Sequence, residues 1–151
     1  MRLATVPVGA HAQQRIALAP EVRLDVLEGR PSSVQGAVGV QFPSGYYVRI
    51  GVLAGAGATL ERDGTSRAAG RVDVLARFLL DPFRQSRWGF SAGAGVSLRA
   101  DPGDHARPRL FAALDLEGRR ARRGFTPAVQ IGLGGGVRGG IGLRWSGRTA
   151  R

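Results

Sequence analysis

The stretch that decides the fold is RAAGRVDVLARFLL, residues 67–80. Its odd-numbered positions carry all of its charges, at Arg67, Arg71, Asp73 and Arg77. Its even-numbered positions carry none. Successive side chains of a β-strand point to opposite faces, so this alternation predicts a long strand with one charged and one apolar face.

The same alternation recurs along the chain and predicts eight strands, separated by Gly-, Pro- and Asp-containing turn sequences. The predicted ranges are 14–27, 33–42, 46–61, 67–80, 87–100, 108–117, 125–134 and 136–146. The short connections leave no room for crossover helices, so neighbouring strands are expected to be antiparallel. The predicted fold is all-β: an antiparallel up-and-down meander closed into a barrel of about eight strands. Pro20 and Pro127 fall inside predicted strands, which leaves six or seven strands as alternatives.

The charged face is expected to line the interior, since the opposite face of every strand is apolar. The predicted interior charge network comprises Arg23, Asp25, Arg49, Arg67, Arg71, Asp73, Arg77, Asp115, Glu117, Arg138 and Arg144. Asp73 is expected to pair with arginines on neighbouring strands. Inward positions hold more arginines than acids. The excess would either line a narrow anion-favouring lumen or reach solvent, and the second interpretation is favoured because small barrels are filled by side chains.

Two similar segments, Ala54-Gly55-Ala56-Gly57 and Ala92-Gly93-Ala94-Gly95, suggest a repeated hairpin unit. Their glycines have inward parity. We expect them to relieve crowding in a small barrel, at some cost in strand stability.

Aromatic residues cluster beside the even-numbered turns, which share one rim with both chain ends in such a barrel. The predicted interfacial aromatic belt comprises Phe42, Tyr46, Phe78, Trp88, Phe125 and Trp145. An apolar exterior with an aromatic belt is typical of a barrel that spans a membrane. Tyr47 is expected to face inward.

With 151 residues the chain is expected to form one domain, residues 13–151. Residues 1–12 resemble a truncated signal peptide, because Arg2 and a short apolar run precede Ala10-His11-Ala12. The net charge is +11, and every basic residue is arginine. There is no cysteine, so disulfides and thiolate chemistry are excluded.

No catalytic, cofactor-binding or metal-binding residues are predicted. His105 lies beside Asp101 and Asp104, but turn chemistry accounts for both acids. Without cysteine or a second histidine nearby, a zinc site is not expected. The basic run 119–123 is compatible with nucleic-acid binding, yet no aromatic platform accompanies it. A solvated turn is the simpler interpretation.

In pattern, residues 14–146 resemble small bacterial outer-membrane β-barrel proteins of the eight-stranded OmpA or OmpX kind. The resemblance implies export, insertion by the barrel assembly machinery and a bacterial outer-membrane location. The expected partner is the lipid bilayer, and the barrel is expected to be a monomer. The sequence therefore predicts a non-enzymatic barrel without cofactors, whose role in the envelope is structural or is not assigned by the sequence. A soluble lipocalin- or avidin-like ligand-binding barrel, apolar inside and charged outside, is the alternative, and a basic nucleic-acid-binding module is a further one.

Overall fold

The computed structural model of the chain describes residues 18–29, 32–61, 63–83, 85–100, 106–119 and 124–145. The signal peptide predicted at 1–12 lies outside these ranges. Eight strands are present: β1 (Ala19–Glu28), β2 (Ser32–Pro43), β3 (Val48–Leu60), β4 (Ser66–Leu79), β5 (Gly89–Ala100), β6 (Arg107–Glu117), β7 (Phe125–Leu133) and β8 (Val137–Trp145). Most boundaries lie within two residues of the prediction.

The strands pair antiparallel in chain order, and β1 pairs with β8 from Glu21↔Arg144 to Glu28↔Val137. This last ladder closes the sheet, so the barrel has no unpaired edge strand. The predicted fold class and topology are confirmed, and the alternatives with six or seven strands are wrong. Within the described ranges, no helix is long and apolar enough to cross a membrane.

Pro20 and Pro127 both lie where the barrel loses little by the missing backbone N–H. The first strand begins at Ala19, later than predicted, and Pro20 pairs with β2 just before the β1–β8 ladder starts at Glu21. The carbonyl of Pro127 accepts a hydrogen bond from the Gly118 N–H at 2.8 Å. The N–H and C=O groups of a strand residue point the same way, so the nitrogen of Pro127 also faces β6. The β6–β7 ladder ends one residue away, at Glu117↔Ala128, so no ladder hydrogen bond is lost there.

The barrel has two different ends. At the terminal end, β1 begins, β8 ends, and the connections β2–β3, β4–β5 and β6–β7 are made. At the distal end lie the other four connections. The β3–β4 turn at the distal end has Gly64 at φ 83°, a value that favours glycine. The hydroxyl and N–H of Thr65 donate to the Asp63 carboxylate at 2.6 and 2.9 Å and lower the pKa of that carboxyl.

The ladder between β6 and β7 is shorter than the others. It joins Ala112–Glu117 to Ala128–Leu133, whereas β6 continues for five further residues, 107–111, toward the distal end. In a strand, alternate N–H groups point to the same side. Because the Gly118 N–H points to β7, those of Leu114 and Leu110 do as well, but Leu110 lies beyond the ladder.

We therefore expect the amide of Leu110 to exchange with deuterium at least roughly tenfold faster than that of Leu114 in the folded barrel. Residue-resolved hydrogen exchange by NMR in detergent micelles measures both amides in one sample. Equal protection of the two would contradict the short β6–β7 ladder.

Candidate functional site

The interior of the barrel holds a compact network of buried ionised groups. It contains five arginines and five acids, each with at most 6% of its surface exposed: Arg23, Arg71, Arg77, Arg138, Arg144, Glu21, Asp25, Asp73, Asp115 and Glu117. Inward parity places all ten inside because the alternate positions on each strand face outward. Nine of them belong to the network that the sequence predicts, and Glu21 joins it.

Toward the distal end, two acids hold three arginines. Asp25 accepts a short hydrogen bond from Arg71, and its oxygens lie 3.2 Å from Nη2 of Arg23 and 3.3 Å from Nη2 of Arg138. Asp73 lies 2.6 Å from Nη2 of Arg138 and 3.1 Å from Nε of Arg71. Asp25 therefore has three cationic partners, two of them on other strands.

Toward the terminal end, Arg144 is the centre of a second cluster. Its guanidinium lies 2.6 Å from Asp115, 2.7 Å from Glu117 and 3.3 Å from Glu21. Nε of Arg77 donates to Asp115 at 3.1 Å. Charge-assisted bonds of this kind are stronger than neutral ones and compensate in part for the loss of water around each ion.

Several of these pairs cross the lumen. Asp73 on β4 meets Arg138 on β8, the strand diametrically opposite, and Asp25 on β1 meets Arg71 on β4. The prediction that Asp73 pairs with arginines on neighbouring strands is wrong: one partner is on its own strand and the other is across the barrel. The lumen of an eight-stranded barrel is narrow enough for a long guanidinium side chain to reach the far wall.

The network is electrically balanced, so the excess of arginine lies elsewhere. The other two residues of the predicted network lie at the barrel ends. Arg49 is part-exposed at the terminal end, 3.0 Å from Glu117, and Arg67 is exposed at the distal end, 3.2 Å from Glu61. The interior itself is filled by paired side chains, which supports the interpretation of the excess as solvated rather than pore-lining.

Inward glycines make room for the arginine side chains. A Cβ atom on Gly51 would lie 2.6 Å from Nη1 of Arg77, and one on Gly142 would lie 2.9 Å from Cγ of Arg23. On Gly93 it would lie 2.5 Å from the carbonyl oxygen of Ala76 and 3.2 Å from Arg77. The inward parity expected for the Gly55 and Gly93 segments is therefore observed. Close approach of the neighbouring strand's backbone, together with the arginine stems at Gly55 and Gly93, is its physical reason.

Two buried glutamines belong to the network, and the pattern of charged residues alone does not predict them. Gln41 donates to Glu21, Gln130 donates to Asp115 at 2.9 Å, and Arg23 donates to Gln130. Gln130 thereby connects the two clusters. Both have inward parity, as does the buried Gln35, which donates to Ser33 at 3.5 Å. The alternation predicts these positions when neutral polar residues are counted with the charged ones. Leu75, Phe111 and Ala113 form a small apolar contact group inside.

The outer surface has the opposite character. Outward positions of the eight described strands are apolar or small throughout, except for Ser66 and Ser32 and for Glu28 at the end of β1. Large apolar side chains there are well exposed: Val38 61%, Leu114 66% and Ile141 61%. The structure therefore shows an apolar exterior around a charged interior.

Nine of the ten aromatic residues lie at the terminal end, and the tenth, Phe111, is inside. All six residues of the predicted belt are at this end. Phe125 packs edge-on against Trp145 at a centroid distance of 4.9 Å. Tyr47 does not face inward as predicted: it is half-exposed and stacks on the outward ring of Phe78 at 5.8 Å. The β2–β3 bend interrupts the alternation at this residue.

No family model and no curated protein matches the chain. Among solved structures, one from work on the de novo design of transmembrane β-barrels has a similar fold, with a TM-score of 0.63. It is 15% identical in sequence, and the match covers 89% of this chain and 98% of that chain. At this identity the likeness concerns the fold: a closed eight-stranded antiparallel barrel.

Removal of the most connected acid tests the network. We expect Asp25→Ala to lower the free energy of unfolding by about 3–5 kcal/mol, because it leaves three buried arginines without that partner. The matched control is Glu61→Ala, which removes an acid from a rim pair and should cost less than about 1 kcal/mol. Urea titration of both variants in micelles measures the difference. Equal, small losses would show that the interior charges are solvated.

Gly93→Ala tests the close packing of the inner wall. The added methyl group meets backbone as well as Arg77, so we expect a loss of about 1–3 kcal/mol. In Gly139→Ala the new Cβ points outward and has no atom within 4 Å, so stability should be unchanged or slightly raised. The same titration compares the two, and an unaffected Gly93→Ala variant would be inconsistent with this packing.

Proposed function

We propose that the chain is a non-enzymatic transmembrane β-barrel of the bacterial outer membrane, with a structural role in the cell envelope. The observation that carries this proposal is the polarity of the barrel: ten ionised side chains are buried inside, while valine, leucine and isoleucine cover the outside. Such an apolar outer surface is stable in contact with the hydrocarbon core of a bilayer.

The soluble ligand-binding alternative requires the reverse arrangement, with an apolar pocket inside and charges outside. Soluble monomers rarely expose continuous apolar surfaces beyond a few hundred Å². Here the apolar outward face continues around all eight strands. In water, this surface would drive aggregation.

Dimensions and rim chemistry agree with a bilayer. The strands are 9 to 14 residues long, and roughly 9–11 residues cross the hydrocarbon core as a tilted strand. The exposed rings at the terminal end, among them Tyr46, Phe83 and Trp88, suit the interface between hydrocarbon and headgroups. Within the ladders, the strands satisfy their backbone hydrogen bonds inside the barrel, as spanning segments must, and the part of β6 beyond its β7 ladder lies at the distal end.

The filled interior favours a structural role over transport or catalysis. Buried acids, arginines and glutamines are engaged with one another across the lumen. Closure through β1 and β8 leaves no edge for strand exchange, which favours a monomer. The proposed partner is therefore the lipid bilayer, and neither a cofactor nor nucleic acid has a part in the proposal.

The proposed outer-membrane location is supported by the architecture that this barrel shares with bacterial outer-membrane barrels. Bacterial barrels with an even number of antiparallel strands and short turns on one side occupy that membrane. The designed barrels that share this fold are transmembrane by description. A monomeric structural barrel of this class needs no further chemistry in its lumen.

Membrane insertion is tested with single-cysteine labels, since the chain has no native cysteine. In vesicles, we expect a fluorophore at Val74→Cys, outward near the middle of β4, to be quenched by spin-labelled lipid chains and not by aqueous iodide. The control label at Asp63→Cys, in an exposed distal turn, should show the reverse. The unboiled protein should also migrate differently from the boiled protein on an SDS gel. Iodide quenching at both positions, with a monomeric fold in plain buffer, would reject the proposal.

A further inference from the structure

The charges of the strand connections differ between the two ends of the barrel. The buried network is neutral, so the whole net charge of +11 lies outside it. By sequence, the four distal connections and the strand ends beside them have six arginines and five acids: Arg30, Arg62, Arg67, Arg99, Arg107, Arg109, Glu28, Glu61, Asp63, Asp101 and Asp104. The three terminal connections, with Arg49 near the start of β3, have seven arginines and one acid: Arg49, Arg84, Arg87, Arg119, Arg120, Arg122, Arg123 and Asp81.

The described part of the terminal end shows how these groups are presented. Arg87 and Arg119 are exposed, and Arg49 is part-exposed. The single acid, Asp81, accepts hydrogen bonds from the backbone N–H groups of Gln85 and Ser86 at 3.1 and 2.8 Å. Its carboxylate is thus engaged by its own turn. Exposed cations therefore dominate this rim.

The same rim carries the exposed aromatic rings. Trp88 is 54% exposed and lies one residue from Arg87. Phe125 and Trp145 pack together where β7 begins and β8 ends, beside the connection that begins with Arg119. Aromatic rings prefer the depth of the lipid headgroups, and arginines just beyond them reach the phosphate layer.

From this coincidence we propose that the terminal end is a docking surface for anionic phospholipid headgroups in the adjacent leaflet. This inference rests on the membrane function proposed above. It specifies the class of lipid that the barrel binds and the end of the barrel that binds it. Guanidinium groups bind phosphate oxygens through paired N–H donors, and each basic residue near an anionic surface adds to the attraction. The distal end, almost neutral, has no comparable preference. The barrel is therefore electrostatically polarised along its axis.

Both tryptophans of the chain, Trp88 and Trp145, lie at the terminal end and report on the lipids around it. The barrel is reconstituted in phosphatidylcholine vesicles with about one quarter phosphatidylglycerol. Bromine is placed on the acyl chains either of the phosphatidylglycerol or of an equal amount of the phosphatidylcholine. We expect about twofold stronger tryptophan quenching from brominated phosphatidylglycerol, and a decline of this excess at high salt.

Two variants with the same change in net charge identify the end responsible. The substitutions Arg87→Gln and Arg119→Gln together should remove most of the excess quenching. Arg107→Gln and Arg109→Gln together, at the distal end, should leave it unchanged. The gel shift of the unboiled protein shows that each variant is folded.

The outcomes separate this inference from the membrane proposal. If neither brominated lipid quenches the tryptophans, membrane insertion itself fails. If both lipids quench equally, or the distal variant loses the excess as fully as the terminal one, insertion stands and the headgroup preference is overturned. Displacement of the phosphatidylglycerol signal by a stoichiometric DNA duplex at physiological salt would also overturn it, in favour of nucleic acid.

Discussion

The pairing of five arginines with five carboxylates inside a closed barrel is the interaction on which the rest of the structure depends. An isolated buried ion is too costly to tolerate, so each group must find partners before the barrel can close around it. Pairs that cross the lumen, such as Asp73 with Arg138, link opposite walls that the backbone ladders connect only around the circumference. The network therefore fixes the cross-section of the barrel as well as its neutrality.

The pairing of charges inside the barrel explains why its outer surface is apolar. With its buried charges paired inside, each strand can present valine, leucine and isoleucine outward, an arrangement stable where the surroundings are apolar. Among the described residues, few apolar side chains are buried: Leu53, Leu75, Phe111 and four alanines. The hydrophobic effect therefore contributes less to the centre of this fold than it does in a barrel with an apolar core. The fold is stabilised mainly by the backbone hydrogen bonds between strands, by the buried ion pairs and by contact between the apolar outer surface and hydrocarbon.

Much of the fold could be predicted from the sequence because charge and strand parity coincide. The faces of β4 follow directly from Arg71, Asp73 and Val74, and the strand order follows from the short connections. The partners inside could not be predicted. Which arginine meets Asp25 depends on register and on the stagger of the closed sheet, neither of which the alternation of residues contains. Formal charge alone does not predict the buried glutamines, and Tyr47 departs from the alternation because a bend, not a strand, precedes β3.

The close approach of Arg77 to Gly51 has a consequence for how such a sequence changes over time. The space that a side chain at position 51 would need is occupied by the end of the Arg77 guanidinium, not by backbone. A larger residue at 51 is therefore acceptable in a background where position 77 is short, and harmful where it is arginine. The two positions should show epistasis: shortening residue 77 first leaves Asp115 without one of its cations, and enlarging residue 51 first displaces the Arg77 guanidinium from that same carboxylate.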